Sequence, residues 1–136
     1  LNFAEAMVEA YGDPYFKTDY PMSAKEAIDI IRERVNVYMP KYPDNLSTEE
    51  FKAKLRNERR VELSFEDHRF WDIRRWKIAD KTTEIYGVDI TKNEDGSFTY
   101  EKILVEKRIF KDHMYLYPIP QSEIYINPEL TQNKGW

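Results

Sequence analysis

One segment of the chain concentrates the residue types that could do chemistry. Residues 56 to 77 read RNERRVELSFEDHRFWDIRRWK, with seven basic and five acidic side chains. Phe51 and Leu55 begin an apolar helical stripe just before it. Continuing that stripe by steps of three and four residues reaches Glu58 and Glu62, so charged side chains occupy a face that should be partly buried. Buried carboxylates must be paired or shift their pKa.

A metal site is the first chemistry that these residues suggest. Glu58 and Glu62 lie one helical turn apart, and His68 could join them, as carboxylate and imidazole ligands do in helical di-iron proteins. The Glu-x-x-His pair of such sites is absent, because Glu66 precedes His68 by only two residues. We therefore predict no metal site.

Paired-carboxylate catalysis is the second possibility, for instance glycoside hydrolysis by two of Glu58, Glu62 and Glu66. Their spacing alone does not support it, because charged helices usually make ion pairs. The interpretation that we favour is structural: guanidinium groups fork onto the carboxylates and tie the third helix to the helix at Arg69. It also predicts that Trp71 and Trp76 are buried.

Nucleic-acid or polyanion binding is the third possibility, since arginines interleaved with Phe70, Trp71 and Trp76 resemble a single-strand platform. The interspersed carboxylates would neutralise most of this positive field. The formal net charge of −4 also argues against a general nucleic-acid binder. We predict no nucleic-acid partner.

Aromatic residues suggest sugar binding, because flat Tyr and Trp faces stack on pyranose rings. The chain has three Trp, ten Tyr and seven Phe, and we expect most of them in the core. Tyr15 and Tyr38, each in a predicted loop, are the candidate ligand-binding residues.

Composition excludes several classes of protein. The chain of 136 residues has no cysteine, which excludes a disulfide scaffold, a Cys-based zinc site and a thiol nucleophile. No apolar run approaches the roughly 18 residues that a membrane helix needs. With four glycines there is no Gly-rich phosphate loop, and we predict no cofactor and no catalytic residue.

The elements that must position these residues follow from periodicity and capping signals. Residues 1–39 predict a helical hairpin of the TPR type: Gly12 ends the first helix, and Ser23 with Glu26 caps a second that runs to about Val35. Residues 47–80 predict two further helices, the first to about Phe65.

The second half of the chain changes character. Residues 87–110 predict a small β-hairpin around the turn Asn93–Gly96, and residues 111–136 an ordered loop with a helical turn near Gln121 to Ile124. The fold class is therefore mainly α, within the α+β class. We treat residues 1–136 as one domain.

Two long motifs resemble a known family. RNERRVELSFEDHRFWDIRRWK and the later YLYPIPQSEIYINPELTQNKGW resemble the carboxy-terminal signature of the SusD/RagB family of Bacteroidetes. The opening LNFAEAMVEAYG and SAKEAIDIIRERV resemble that family's last TPR-like helical pair, so the resemblance covers essentially the whole chain. It implies a carboxy-terminal portion of a longer protein, in keeping with a first residue Leu1 rather than Met. We then expect an exposed apolar patch around Phe3 and Met7.

The resemblance also implies a function. SusD-like proteins are nutrient-binding lipoproteins at the cell surface of the outer membrane, not enzymes. They capture an oligosaccharide or other nutrient for a SusC-like TonB-dependent transporter, and in starch-binding members the glycan contacts lie largely outside these motifs. The implied partners are the transporter, the glycan and the remainder of the parent chain. A glycoside-processing enzyme and a helical protein–protein interaction module remain the alternatives.

Most matching positions imply scaffold rather than ligand contacts. They include the arginines and glutamates of the first motif and, in the second, Pro118, Pro120, Gln132 and Asn133. The family commonly has Gly where this chain has Asp67, which leaves the local turn geometry as the one open point.

Overall fold

The computed structural model describes all 136 residues and has five helices and one two-stranded sheet, so the predicted mainly helical α+β fold is confirmed. Two 3₁₀ turns cover Ala79–Thr82 and Asp112–Tyr115. The chain forms two compact units, Leu1–Arg69 and Phe70–Trp136. In chain order the elements are α1 Asn2–Tyr11, α2 Ala24–Arg32, α3 Thr48–Glu62, α4 His68–Arg75, β1 Glu84–Lys92, β2 Phe98–Lys107 and α5 Gln121–Ile126.

The end of α1 and the starts of α2 and α3 follow signals in the sequence. Gly12 ends α1 in the left-handed conformation, with φ 68°, and its N–H donates to the Val8 carbonyl. Both capping boxes are present, at Ser23 for α2 and at Ser47 for α3. In each box the serine hydroxyl accepts from the N–H of a glutamate three residues later, and that carboxylate accepts from the serine N–H.

The predicted ends of α2 and α3 were wrong by three residues each. Helix α2 ends at Arg32 rather than Val35, and α3 ends at Glu62 rather than Phe65. Val35 is 72% exposed and Phe65 is fully exposed, so no burial holds either residue in a helix. At Phe65 the backbone has already left the helix, with φ 65°, and Asp67 follows with φ 59°. The local geometry at Asp67, where the family commonly has Gly, is thus a left-handed turn. Gly would adopt this conformation without strain.

The first unit has a core between its three helices. Small alanines of α1 and α2 let these helices approach closely, and α3 adds Leu55 and Phe51, the largest fully buried side chain. The expected exposed patch at Met7 was wrong, because the unit's own helices bury Met7, while Phe3 packs at the core's edge against Tyr20. The buried apolar residues are Ala4, Met7, Val8, Ala24, Ile28, Tyr42, Phe51 and Leu55.

The second unit contains the predicted hairpin. Strands β1 and β2 are antiparallel, with Lys92 paired to Phe98, and the turn between them includes Gly96 at φ 84°. Strand β1 begins at Glu84, three residues before the predicted start, and a bulge interrupts the ladder at Ile85. Both strands are largely exposed.

The carboxy-terminal loop is ordered by side chains of the second motif. Gln132 both accepts from the Ile119 N–H and donates to the Ile119 carbonyl. The Asn133 amide donates to the Tyr117 carbonyl at 2.6 Å, and the Trp136 indole N–H donates to the carbonyls of His113 and Leu116. These side chains satisfy the backbone groups of a proline-rich segment that has no sheet or helix partner.

Candidate ligand-binding site

The carboxylates that suggested catalysis are held by arginines. Glu58 is buried, and its Oε2 accepts from Arg32 Nη1 at 2.6 Å and from the Tyr42 hydroxyl at 2.8 Å. The Arg32 guanidinium also lies over the Tyr42 ring and donates from Nε to the Pro40 carbonyl. Burial, and then the Glu58 carboxylate, raises the pKa of Tyr42 well above its ordinary value. Glu58 is thus a member of a buried polar network with Arg32 and Tyr42.

Of the other two candidate carboxylates, Glu62 is paired with an arginine and Glu66 is exposed. Glu62 Oε2 is 2.6 Å from Arg34 Nη2, whereas Glu66 and His68 are exposed. The structure contains no group of three or more His, Asp or Glu side chains placed to hold a metal ion. Glu58, Glu62 and His68, which we had considered as metal ligands, do not form such a group.

Several ion pairs of α3 reach the two preceding helices. Glu58 and Glu62 reach arginines of α2 and of the segment after it, and Arg59 of α3 contacts Glu5 of α1 at 3.7 Å. The predicted burial of Trp71 was wrong, because its side chain is 58% exposed.

Tyr15 and Tyr38, the candidates from the sequence, lie in different surroundings. The half-buried Tyr15 hydroxyl accepts from the Leu46 N–H at 2.8 Å and faces the Leu46 carbonyl at 3.3 Å, which braces the loop after α1 against the start of α3. Tyr38 is 73% exposed on a left-handed backbone, with φ 49°. Tyr38 offers an open ring face, whereas the polar end of Tyr15 is engaged with backbone.

The second unit contains a cleft of about 980 Å³ that sequence reasoning missed. Its apolar lining comes from Trp71 on α4 and from Tyr115 and Leu116 at the end of the second 3₁₀ turn. Leu116 is 61% exposed, like Trp71, while Tyr115 is half-buried and donates its hydroxyl to Asp80 Oδ1 at 3.2 Å. An open Trp face beside a Tyr suits a pyranose ring.

Charged side chains complete the cleft. Arg74, Arg75 and Lys77 lie in its lining together with the carboxylates of Asp80 and Asp112. Such a mixture of aromatic, cationic and acceptor groups can stack on a sugar ring and hydrogen-bond its hydroxyl groups.

No spacing signal in the sequence marks this cleft. Trp71 and Arg74 belong to a motif that we interpreted as scaffold, and Tyr115 follows Trp71 by more than forty residues. The available signal was the cluster of cations around Trp71 and Trp76 in α4 and just after it, and we assigned it to burial instead.

Comparison with known proteins places the chain in a family. The model of the SusD family matches residues 1–136. The chain belongs to the SusD family. It is also similar to a SusD-like protein from Bacteroides fragilis NCTC 9343, with 33% sequence identity and a TM-score of 0.79. That match covers 99% of this SusD-family chain and 24% of the other protein's chain, and no curated protein matches.

Family membership confirms the resemblance of the two motifs. SusD-like proteins are generally non-catalytic binding proteins for nutrients or glycans, and typically lipoproteins of the outer-membrane surface. They generally work with SusC-like transporters. In this SusD-family chain, none of the five helices has the length and apolar character to cross a bilayer.

Proposed function

We propose that the full-length protein carrying this chain binds an oligosaccharide or other nutrient at the outer-membrane surface, without catalysis, and delivers it to a SusC-like TonB-dependent transporter. The observation that carries the proposal is the SusD-family match over residues 1–136. Binding needs no cofactor, because aromatic stacking and hydrogen bonds suffice to hold a glycan.

The state of the carboxylates supports binding rather than glycoside hydrolysis. A glycosidase needs one carboxyl group protonated as the acid and a second one free as base or nucleophile on the other side of the scissile bond. Glu58 and Glu62 instead each lie 2.6 Å from an arginine side chain, so an ion pair engages each of them and neither is a free base or nucleophile. Glu66 is exposed at the surface, where nothing shields it from water as the acid of a glycosidase pair would need.

Two places in this chain are the proposed contacts for a sugar. The cleft at Trp71 offers an aromatic face with charged groups beside it, and Tyr38 offers an isolated ring. Tyr15 is the weaker of the two original candidates, because its hydroxyl binds the Leu46 backbone. A protein–protein interaction module, the remaining alternative, has no observation of its own in its favour.

Calorimetry of the full-length protein against a panel of neutral and acidic oligosaccharides tests the proposal, with and without the matching transporter. We expect a saturable heat with at least one glycan, and co-purification of the transporter. The absence of a binding heat for every oligosaccharide, both with and without the transporter, would contradict nutrient binding of this class. The Trp71→Ala and Tyr38→Ala variants then assign the contact, with Tyr125→Ala as a control at another exposed tyrosine.

A further inference from the structure

Arg74, in the lining of the cleft at Trp71, is held in a fixed position and lacks an anionic partner. Its guanidinium carbon lies 3.5 Å from the centre of the Phe70 ring, with Phe110 and Tyr117 within 6 Å. Such stacking orients a guanidinium group without neutralising its charge.

The hydrogen bonds of Arg74 are incomplete. Nη1 donates to the Phe70 carbonyl at 3.2 Å, whereas Nε is buried with no acceptor, and Arg74 makes no ion pair with any carboxylate of the chain. A buried donor without an acceptor is unusual, and a guanidinium group has five N–H donors to satisfy. Because Nε is buried, the donors that Arg74 can present to a ligand are those at the Nη end of its guanidinium group.

Lys77 is a second cation of the cleft without a partner. Its side chain is exposed and makes no ion pair, whereas the neighbouring Arg75 is paired with Asp72 at 2.8 Å. Asp80, also in the lining, accepts from the Tyr115 hydroxyl. The unpaired positive charges of Arg74 and Lys77 thus lie beside the exposed ring of Trp71.

We propose that the cleft at Trp71 binds an anionic oligosaccharide, with a carboxylate or sulfate group of the sugar facing Arg74 and Lys77 and a pyranose ring on Trp71. The inference rests on the proposed function, because it names the class of glycan that the protein would take. A planar guanidinium group recognises a carboxylate or sulfate through two parallel hydrogen bonds, and an ammonium group adds a point charge. Asp80 and Asp112 then accept from sugar hydroxyl groups.

Titration of the full-length protein with matched probes tests the proposal. The carboxylated probe is an oligogalacturonate, and its fully methyl-esterified form keeps the ring while removing the charge. The sulfated probe is a chondroitin sulfate oligosaccharide, compared with its desulfated form. Lys77→Gln removes one cation at an exposed position that leaves the stacked Arg74 in place, and Lys92→Gln at the exposed end of β1 is the matched control.

We expect one anionic probe to bind at least about tenfold more tightly than its uncharged form in low salt, and more weakly as salt is added. Lys77→Gln should weaken that binding about threefold to tenfold, while Lys92→Gln leaves it unchanged. Which of the two probes binds, the carboxylated or the sulfated one, identifies the anionic group that the cleft recognises.

Two results would overturn the inference while leaving the proposed function intact. One is binding of neutral oligosaccharides as tight as that of the anionic probes. The other is anionic binding that Lys77→Gln and a folded Arg74→Lys variant both leave unchanged, since the anion would then lie elsewhere. Absence of binding by every neutral and anionic glycan would instead overturn the proposed function, and this inference with it.

Discussion

Replacing Glu58 by glutamine should destabilise the first unit strongly, because Glu58 holds two buried partners. Its Oε2 accepts from Arg32 and from the Tyr42 hydroxyl, and the side chains of the ion pair are 10% and 9% exposed. A hydrogen bond to a charged group contributes about 1.5 to 3 kcal/mol, and breaking a buried pair from one side costs about 3 to 5 kcal/mol. Glutamine keeps one neutral acceptor, so we expect a loss of about 2 to 4 kcal/mol.

Urea denaturation of the full-length protein, with hydrogen exchange of α2 and α3 as a local probe, measures this loss. Glu66→Gln is the matched control, because it makes the same chemical change at an exposed carboxylate. We expect it to stay within about 0.5 kcal/mol of the unchanged protein.

A double-mutant cycle separates the ion pair from general disruption. If the Glu58 carboxylate acts through Arg32, then Glu58→Gln combined with Arg32→Gln should cost clearly less than the sum of the two single changes. The reasoning is refuted if Glu58→Gln matches Glu66→Gln in stability. It is also refuted if the two single changes are additive, because the pair would then carry no coupling.

Two further predictions concern the tail and the acid stability of α2. Gly135 has φ 97°, and a Cβ there would lie 2.6 Å from the His113 Cβ, whereas Gly96 has φ 84° with nothing within 4 Å. Gly135→Ala should therefore lower the local opening free energy of the tail by about 1 to 3 kcal/mol more than Gly96→Ala lowers that of its turn. Hydrogen exchange measures both values, and equal effects would contradict the predicted clash. The hydrogen bond from Lys17 is the main cause that lowers the pKa of Glu26 from 4.5 to about 2. The ionised Glu26 therefore stabilises the folded protein fully above pH 4.5, and this contribution is lost as the pH falls from about 4.5 to about 2. Glu26→Gln should flatten the acid limb of α2 unfolding in that window, and an unchanged limb would argue against this contribution.

Local signals in the sequence were sufficient for the starts of α2 and α3 and for the end of α1. The serine capping boxes and Gly12 act within one helical turn, so the sequence alone specifies them. The ends near Val35 and Phe65 were beyond such reasoning, because they depend on whether tertiary contacts bury the last turn.

The partners in the polar network were harder to predict than its existence. The stripe through Glu58 correctly indicated a charged residue on a buried face, yet its partner Arg32 lies 26 residues away and was not identified. The cleft at Trp71 depends on Tyr115 and Leu116, which only the folded tail brings to α4. Periodicity reports which face of an element is apolar, and not which distant segment meets it.

Catalytic turnover tests the claim of binding without catalysis most directly. The full-length protein is titrated with an oligosaccharide panel, and the sample that shows a binding heat is then incubated and analysed by chromatography for chain length. We predict saturable binding with every oligosaccharide recovered intact. Shorter products that disappear in a folded Glu62→Gln variant would contradict the account and favour a glycoside-processing enzyme.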